Sequence, residues 1–289
     1  MSALLAELAV PFSYEYMAKA MWVSALVGAV CAFLSAYLML KGWSLMGDAL
    51  AHSIVPGVAG AYVLGVPFAA GAFFAGILAS GSMAFVKQHT RLREDAVIGL
   101  VFTSLFALGL LIASISPTSV SIQTIVLGNI LGISNEDVFQ VAVIAAVSLA
   151  VLTLKWKDLM ITFFDENHAR SLGINTGLLK VLFFTLLSAC TVAALQTVGA
   201  CLVIAMVVTP GATAYLLTDR FGRLILISVA LGATTSFVGA YISYFLDGAT
   251  GGVIVTLQTL LFLAAFYLAP KHGVLAARRR GLATIGAEP

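Results

Sequence analysis

A chain of 289 residues that is 61% hydrophobic and only 10% charged cannot cover a water-soluble surface, where about 25% of residues are charged. Its mean hydropathy of +1.06 agrees, and a net charge of +2 gives no basis for nucleic-acid binding. The length is better divided into membrane spans, each needing about 20 apolar residues to cross the hydrocarbon core.

The opening stretch, MSALLAELAVPFSYEY, carries Glu7 and Glu15 and no basic residue. It lacks the charged start of a cleaved signal peptide and reads as a leader over residues 1–16. The spans then fall at 17–39, 46–65, 67–86, 96–115, 136–154, 176–197, 199–217, 223–246 and 252–269. The divisions at 65–67 and 197–199 rest only on Gly65, Pro67 and Gly199. Eight spans result if either is not a turn. The expected fold is an all-α polytopic transmembrane helical bundle over 17–271, with a basic tail over 272–289.

Lys and Arg stay on the cytoplasmic side of a membrane. Lys41, Lys87, Arg91, Arg93, Lys155, Lys157, Arg170, Arg220, Arg223 and Lys271 fall in alternate connections, whereas 116–135 and 247–251 have no Lys or Arg. That alternation predicts nine spans with the N-terminus outside and the C-terminus in the cytoplasm. Arg278, Arg279 and Arg280 serve as a topology anchor, with a lipid-binding patch as the alternative. Cys31, Cys190 and Cys201 sit in apolar runs with no CxxC pairing and read as buried hydrophobes.

Ionisable groups inside a membrane are expensive and mark function. The exception to the end-of-span placement of charge is GWSLMGDALAHSIVPG, residues 42–57. Asp48 and His52 are four apart and share one helix face. A carboxylate and an imidazole on one face suit a first-row divalent cation, and hard oxygen with a single imidazole favours manganese over zinc. Two ligands leave a shell incomplete. Pro56 lacks an N–H, so the carbonyl of residue 52 loses its helical donor, and a broken helix is where transporters place their sites. An Asp–His hydrogen bond that stitches helices, and a proton relay, stay open as alternatives. His89, His168 and His272 read as solvated.

A second Pro-Gly segment, AMVVTPGATAYLL at 205–217, resembles VPGVAGAYVLG at 55–65. With opposite predicted directions, the two match an inverted repeat. That would put Thr209 and Pro210 on the same pathway as Asp48 and His52.

The connection FFDENHARSLGIN, residues 163–175, has the makings of a short helix. Asp165 is the N-cap, His168 the third helical position and Gly173 the stop. An ordinary connector and a docking element for a cytoplasmic partner both fit. The chain has no GxxxxGK[ST] phosphate loop, so any pumping draws on an ion gradient or on a separate ATPase.

SLMGDALAHSIVPG (44–57), LGNIL (127–131), FDENHARSLGI (164–174) and MVVTPGATAYLL (206–217) together resemble the permease subunits of bacterial ABC importers for manganese, zinc and iron. The resemblance runs from about residue 17 to 271. It implies a multi-pass protein of the bacterial cytoplasmic membrane that pairs with a second permease copy or a related permease. It further implies an ATP-binding subunit below and an extracytoplasmic metal-binding protein above. The implied cargo is Mn²⁺, or Fe²⁺ or Zn²⁺, with no permanently bound cofactor and ATP held by the partner. The family's intramembrane acid and histidine match Asp48 and His52. Its coupling segment matches Asp165, Glu166, Ala169, Arg170 and Gly173. The chain is then a transport subunit and not an enzyme. A gradient-driven metal or proton carrier working alone is the alternative reading.

Overall fold

The computed structural model describes residues 2–43, 45–115, 132–198, 200–269 and 273. The LGNIL segment, Gly199, Lys271, His272 and the arginines of the basic tail lie outside the described residues. Every regular element among the described residues is helical. In chain order they are α1 (Ser2–Ser13), α2 (Glu15–Lys41), α3 (Met46–Ser53), α4 (Val55–Leu64), α5 (Phe68–His89) and α6 (Glu94–Ile115). There follow α7 (Asn135–Phe164), α8 (Glu166–Ser171), α9 (Thr176–Val198), α10 (Ala200–Leu217), α11 (Phe221–Leu246) and α12 (Thr250–Leu268).

Seven of these, α2, α5, α6, α7, α9, α11 and α12, are long and apolar enough to cross a membrane. The apolar stretch at 46–65 is two short helices in series, and α10 adds a shorter apolar run, Ala205–Leu217. The division at 65–67 is a turn. Gly65 takes φ +67°, a left-handed conformation that glycine adopts without a steric penalty, and α5 begins after Pro67.

The fifth expected span ended at residue 154, with Lys155 and Lys157 in a loop. In the structure α7 runs on for ten more residues to Phe164. Lys155 instead pairs with Asp158 at 3.2 Å and Lys157 lies over the Trp156 ring. These charges sit on a helix longer than the hydrocarbon core of a bilayer. Its 30 residues span about 45 Å, against a hydrocarbon core of about 30 Å.

The chain forms two compact units. One comprises the described residues of Met1–Met39 and Ala205–Pro289, the other Leu40–Ile204. In the first, α2 is the most buried helix and packs against α10 and α11 through small residues. Lipid gives no hydrophobic drive between helices, so close backbone approach must supply the attraction. A Cβ on Gly28 would collide with the Gly232 carbonyl and one on Gly211 with Ser35. At that second crossing the Ser35 hydroxyl donates to the Val208 carbonyl and accepts the Gly211 N–H, both at 3.0 Å. Pro210 leaves the Met206 carbonyl without its helical donor, and Ser35 ties α2 to the backbone on either side of the proline.

In the second unit α3 and α4 lie against α5 and α6, and α9 packs on α5 and α7. Gly57 and Gly71 bring α4 and α5 within backbone contact, and Gly109 of α6 lies against Pro56. One end of this unit gathers the turn after α2, the turn between α5 and α6 and the junction of α7 with α8. Trp43 of the first turn touches Glu94 of the second and Phe163 of the third.

Candidate functional site

Asp48 and His52 occupy the first and last turns of α3, an eight-residue helix. The Asp48 Oδ1 to His52 Nε2 distance is 3.2 Å. The two groups stand at ion-pair distance without hydrogen-bond alignment, and no hydrogen-bond donor reaches the buried Asp48 Oδ1 among the described residues. Both belong to one helix, so they do not stitch two helices together. Their geometry suits shared ligation instead. Ligands about 2.1 Å from a first-row metal and at right angles to one another stand about 3 Å apart. No third His, Cys, Asp or Glu joins them among the described residues. A cation held here takes its remaining ligands from water, from carbonyls or from another chain.

Two aromatic rings that sequence reasoning did not single out wall the imidazole. Phe102 and Phe106, one turn apart on α6, have centroids 5.5 and 5.3 Å from the His52 ring. They lie eight and twelve residues beyond Glu94, which puts the pair about 12–18 Å from that end of the unit.

The helix does break where proline predicts, two residues before the ring itself. Ile54 separates α3 from α4, and Pro56 sits in the first turn of α4, where its missing N–H is not needed. The His52 carbonyl was expected to be free for a ligand. It accepts the Ile54 N–H instead.

Thr209 and Pro210 lie on α10 in the first unit. With Thr213, Leu231, Thr235 and Gln258 they line a cavity of about 10 Å³, room for about one water. Pro210 lies inside a continuous α10, whereas Pro56 follows a break. The two Pro-Gly segments are alike in sequence and different in backbone.

The segment at 163–175 forms the short helix expected. Phe163 and Phe164 complete α7, and Asp165 caps α8, its Oδ1 accepting the N–H groups of Asn167 at 2.9 Å and His168 at 3.1 Å. Gly173 takes φ +78°, and the Ile174 N–H returns to the Ala169 carbonyl at 3.1 Å, a glycine-terminated helix end. Ala169 is fully buried. Glu166 bonds the Arg170 guanidinium at 2.6 Å, and its other oxygen accepts from Lys180 of α9. Burial raises the Glu166 pKa, but the bonds and charges of Lys180 and Arg170 outweigh it and hold the carboxyl below its ordinary value. His89 and His168 are exposed, as expected.

A model of the ABC-3 family, the ABC 3 transport family, matches residues 13–269. The chain belongs to this family. Among ABC-3 relatives, the chelated iron transport system membrane protein YfeC of Yersinia pestis is 71% identical over 270 residues, 93% of this chain and 92% of that one. The manganese transport system membrane protein MntB of Synechocystis is 49% identical over 269 residues, covering 92% of this chain and 87% of the relative. The solved structure of PsaBC from Streptococcus pneumoniae in complex with Fab superposes with a TM-score of 0.84 at 33% identity, covering 95% of this chain and 99% of the other. The ABC-3 match and the apolar helices together make the chain a multi-pass membrane subunit of an ABC-type transport system.

Proposed function

We propose that the chain is the permease subunit of an ATP-driven importer of a divalent transition metal, manganese or iron, across the bacterial cytoplasmic membrane. The observation that carries this reading is the Asp48–His52 pair, 3.2 Å apart at cis-ligand spacing, in an otherwise apolar stretch of the chain. The relatives named for chelated iron and manganese support the cargo. One carboxylate and one imidazole hold a cation too loosely to trap it, as a gate requires. A second permease copy, or a related permease, supplies further ligands across a shared pathway. Pro56 is assigned to that pathway as the residue that follows the break after α3.

Helix α8 is the docking element for a separate ATP-binding subunit, through Asp165, Glu166, Ala169, Arg170 and Gly173. It is capped at both ends and carried on an α7 longer than the hydrocarbon core of a bilayer. A soluble metal-binding protein on the outer side delivers the ion. With the N-terminus outside, Lys41, Lys87 and the α7–α9 junction share the cytoplasmic side. A solitary gradient-driven carrier has no use for such a docking helix, and the family match weighs against it.

Metal accumulation in cells that depend on this system tests the reading. Asp48→Asn and His52→Ala are each expected to abolish uptake while the protein still reaches the membrane at normal abundance. Normal uptake by both would end the gating role.

A further inference from the structure

Trp43 lies in the turn between α2 and α3 and is half-buried. Its ring stacks on Phe184 of α9, with centroids 5.5 Å apart and planes at 21°, and meets Phe163 of α7 edge-on at 5.6 Å. Phe163 closes α7 immediately before α8, and α9 follows it. The two helices that hold α8 therefore grip one indole between them. On α9, Lys180 is one turn from Phe184 and binds Glu166 of α8 itself.

The same indole reaches the metal pair by two routes. Along the chain, Trp43 precedes Asp48 by five residues. Through space, its Nε1–H donates to Glu94 Oε2 at 2.6 Å, and Glu94 is the first residue of α6. Phe102 and Phe106 of that helix wall His52, and its Gly109 lies on Pro56. Lys87 of α5 stands 3.6 Å from the other Glu94 oxygen, and Lys41 lies over the indole. An aromatic filler has no need of a donor aimed at a carboxylate. A charge-assisted bond is short, strong and directional, and it ties the rotation of the ring to the position of α6.

We propose that Trp43 is the positioning residue that converts movement of α8 into movement of the Asp48–His52 pair, by pushing α3 through its own chain and α6 through Glu94. This rests on the reading of α8 as the ATPase-docking helix. A shift of α7 against α9 changes the slot that holds the indole. The indole cannot turn without moving Glu94.

The test uses the complete importer, with its ATPase and its metal-binding protein, in proteoliposomes. Metal imported and ATP hydrolysed are measured together. Trp43→Phe keeps a ring in the slot and loses the N–H. Ions imported per ATP are expected to fall about tenfold, the factor a hydrogen bond to a charged group is worth, while hydrolysis continues. Glu94→Gln keeps an acceptor and is expected to fall less. The double variant Trp43→Phe/Glu94→Leu is expected to be no worse than its poorer single variant. If Trp43 only packs, uptake and hydrolysis fall in proportion, and an unchanged ratio in Trp43→Phe overturns the proposal. Should Trp43→Phe fail to assemble, a wild-type ratio in Glu94→Leu overturns it equally. If wild-type chain binds no ATPase, the docking reading fails. If Asp48→Asn imports normally, the gating reading fails. Neither result depends on the ratio measured for Trp43.

Discussion

Asp48 and His52 approach to 3.2 Å and do not hydrogen-bond. A buried carboxylate oxygen left without a donor costs about 1–3 kcal/mol, more when charged. On the reading of the pair as a metal site, a bound cation completes the bonding of that oxygen. Because the deficit is local to α3, its removal should not harm the chain. Asp48→Asn is expected to leave the thermal unfolding temperature of the detergent-solubilised protein unchanged or raised, even as uptake disappears. A marked fall would show that the carboxylate supports the fold.

Ser35 has the opposite character. Its hydroxyl satisfies both the Val208 carbonyl and the Gly211 N–H at the proline in α10. Ser35→Ala removes both of these bonds between α2 and α10 and is expected to destabilise by about 1–3 kcal/mol, read as a lower unfolding temperature. Ser35→Thr keeps the hydroxyl but adds a methyl where Gly211 already approaches α2 closely, so it should rescue only in part.

Gly173 ends α8 in a left-handed conformation, φ +78°. Non-glycine residues pay about 1–2 kcal/mol there, with asparagine the mildest. Gly173→Val is therefore expected to fray α8 and reduce co-purification of the ATPase, and Gly173→Asn to retain most of it. Equal binding by both would separate docking from the helix terminus.

Glu166 clamps α8 to α9. Its carboxyl is held below the ordinary value, because Lys180 and Arg170 outweigh burial. For an acid depressed by folding, the stabilisation is present above the unfolded-state pKa and is lost as pH falls through the folded one. Hydrogen exchange across 166–171 should be protected at neutral pH, with protection lost only as pH falls below the ordinary carboxylate range. Lys180→Met should expose the helix at neutral pH. A pH-independent exchange profile with and without Lys180 would remove the clamp.

The positions of the apolar helices were legible in the sequence because each span is a run of one composition bounded by charge or glycine. The caps of α8 were legible for a related reason. Asp165 and Gly173 act on their own neighbours, and local chemistry leaves a local signature. What the sequence concealed is non-local. Lys155 and Lys157 read as a loop because charge ends a membrane span, yet charge does not end a helix, and α7 continues through both. Phe102 and Phe106 carry no local signature, because only the packing of α6 against α3 brings them to His52. Pro56 announced a break. Only the backbone showed that the Ile54 N–H takes the His52 carbonyl that the break would have freed.

The central claim is that Asp48 and His52 ligate the transported ion. Pulsed electron paramagnetic resonance on Mn²⁺ bound to the purified importer reads this directly, since an imidazole nitrogen in the first shell couples to the metal electrons. The spectrum is expected to show that ¹⁴N coupling in the wild type, to retain it in Glu94→Gln, and to lose it in His52→Ala. Bound Mn²⁺ with no nitrogen coupling, or a coupling that survives in His52→Ala, would contradict the account.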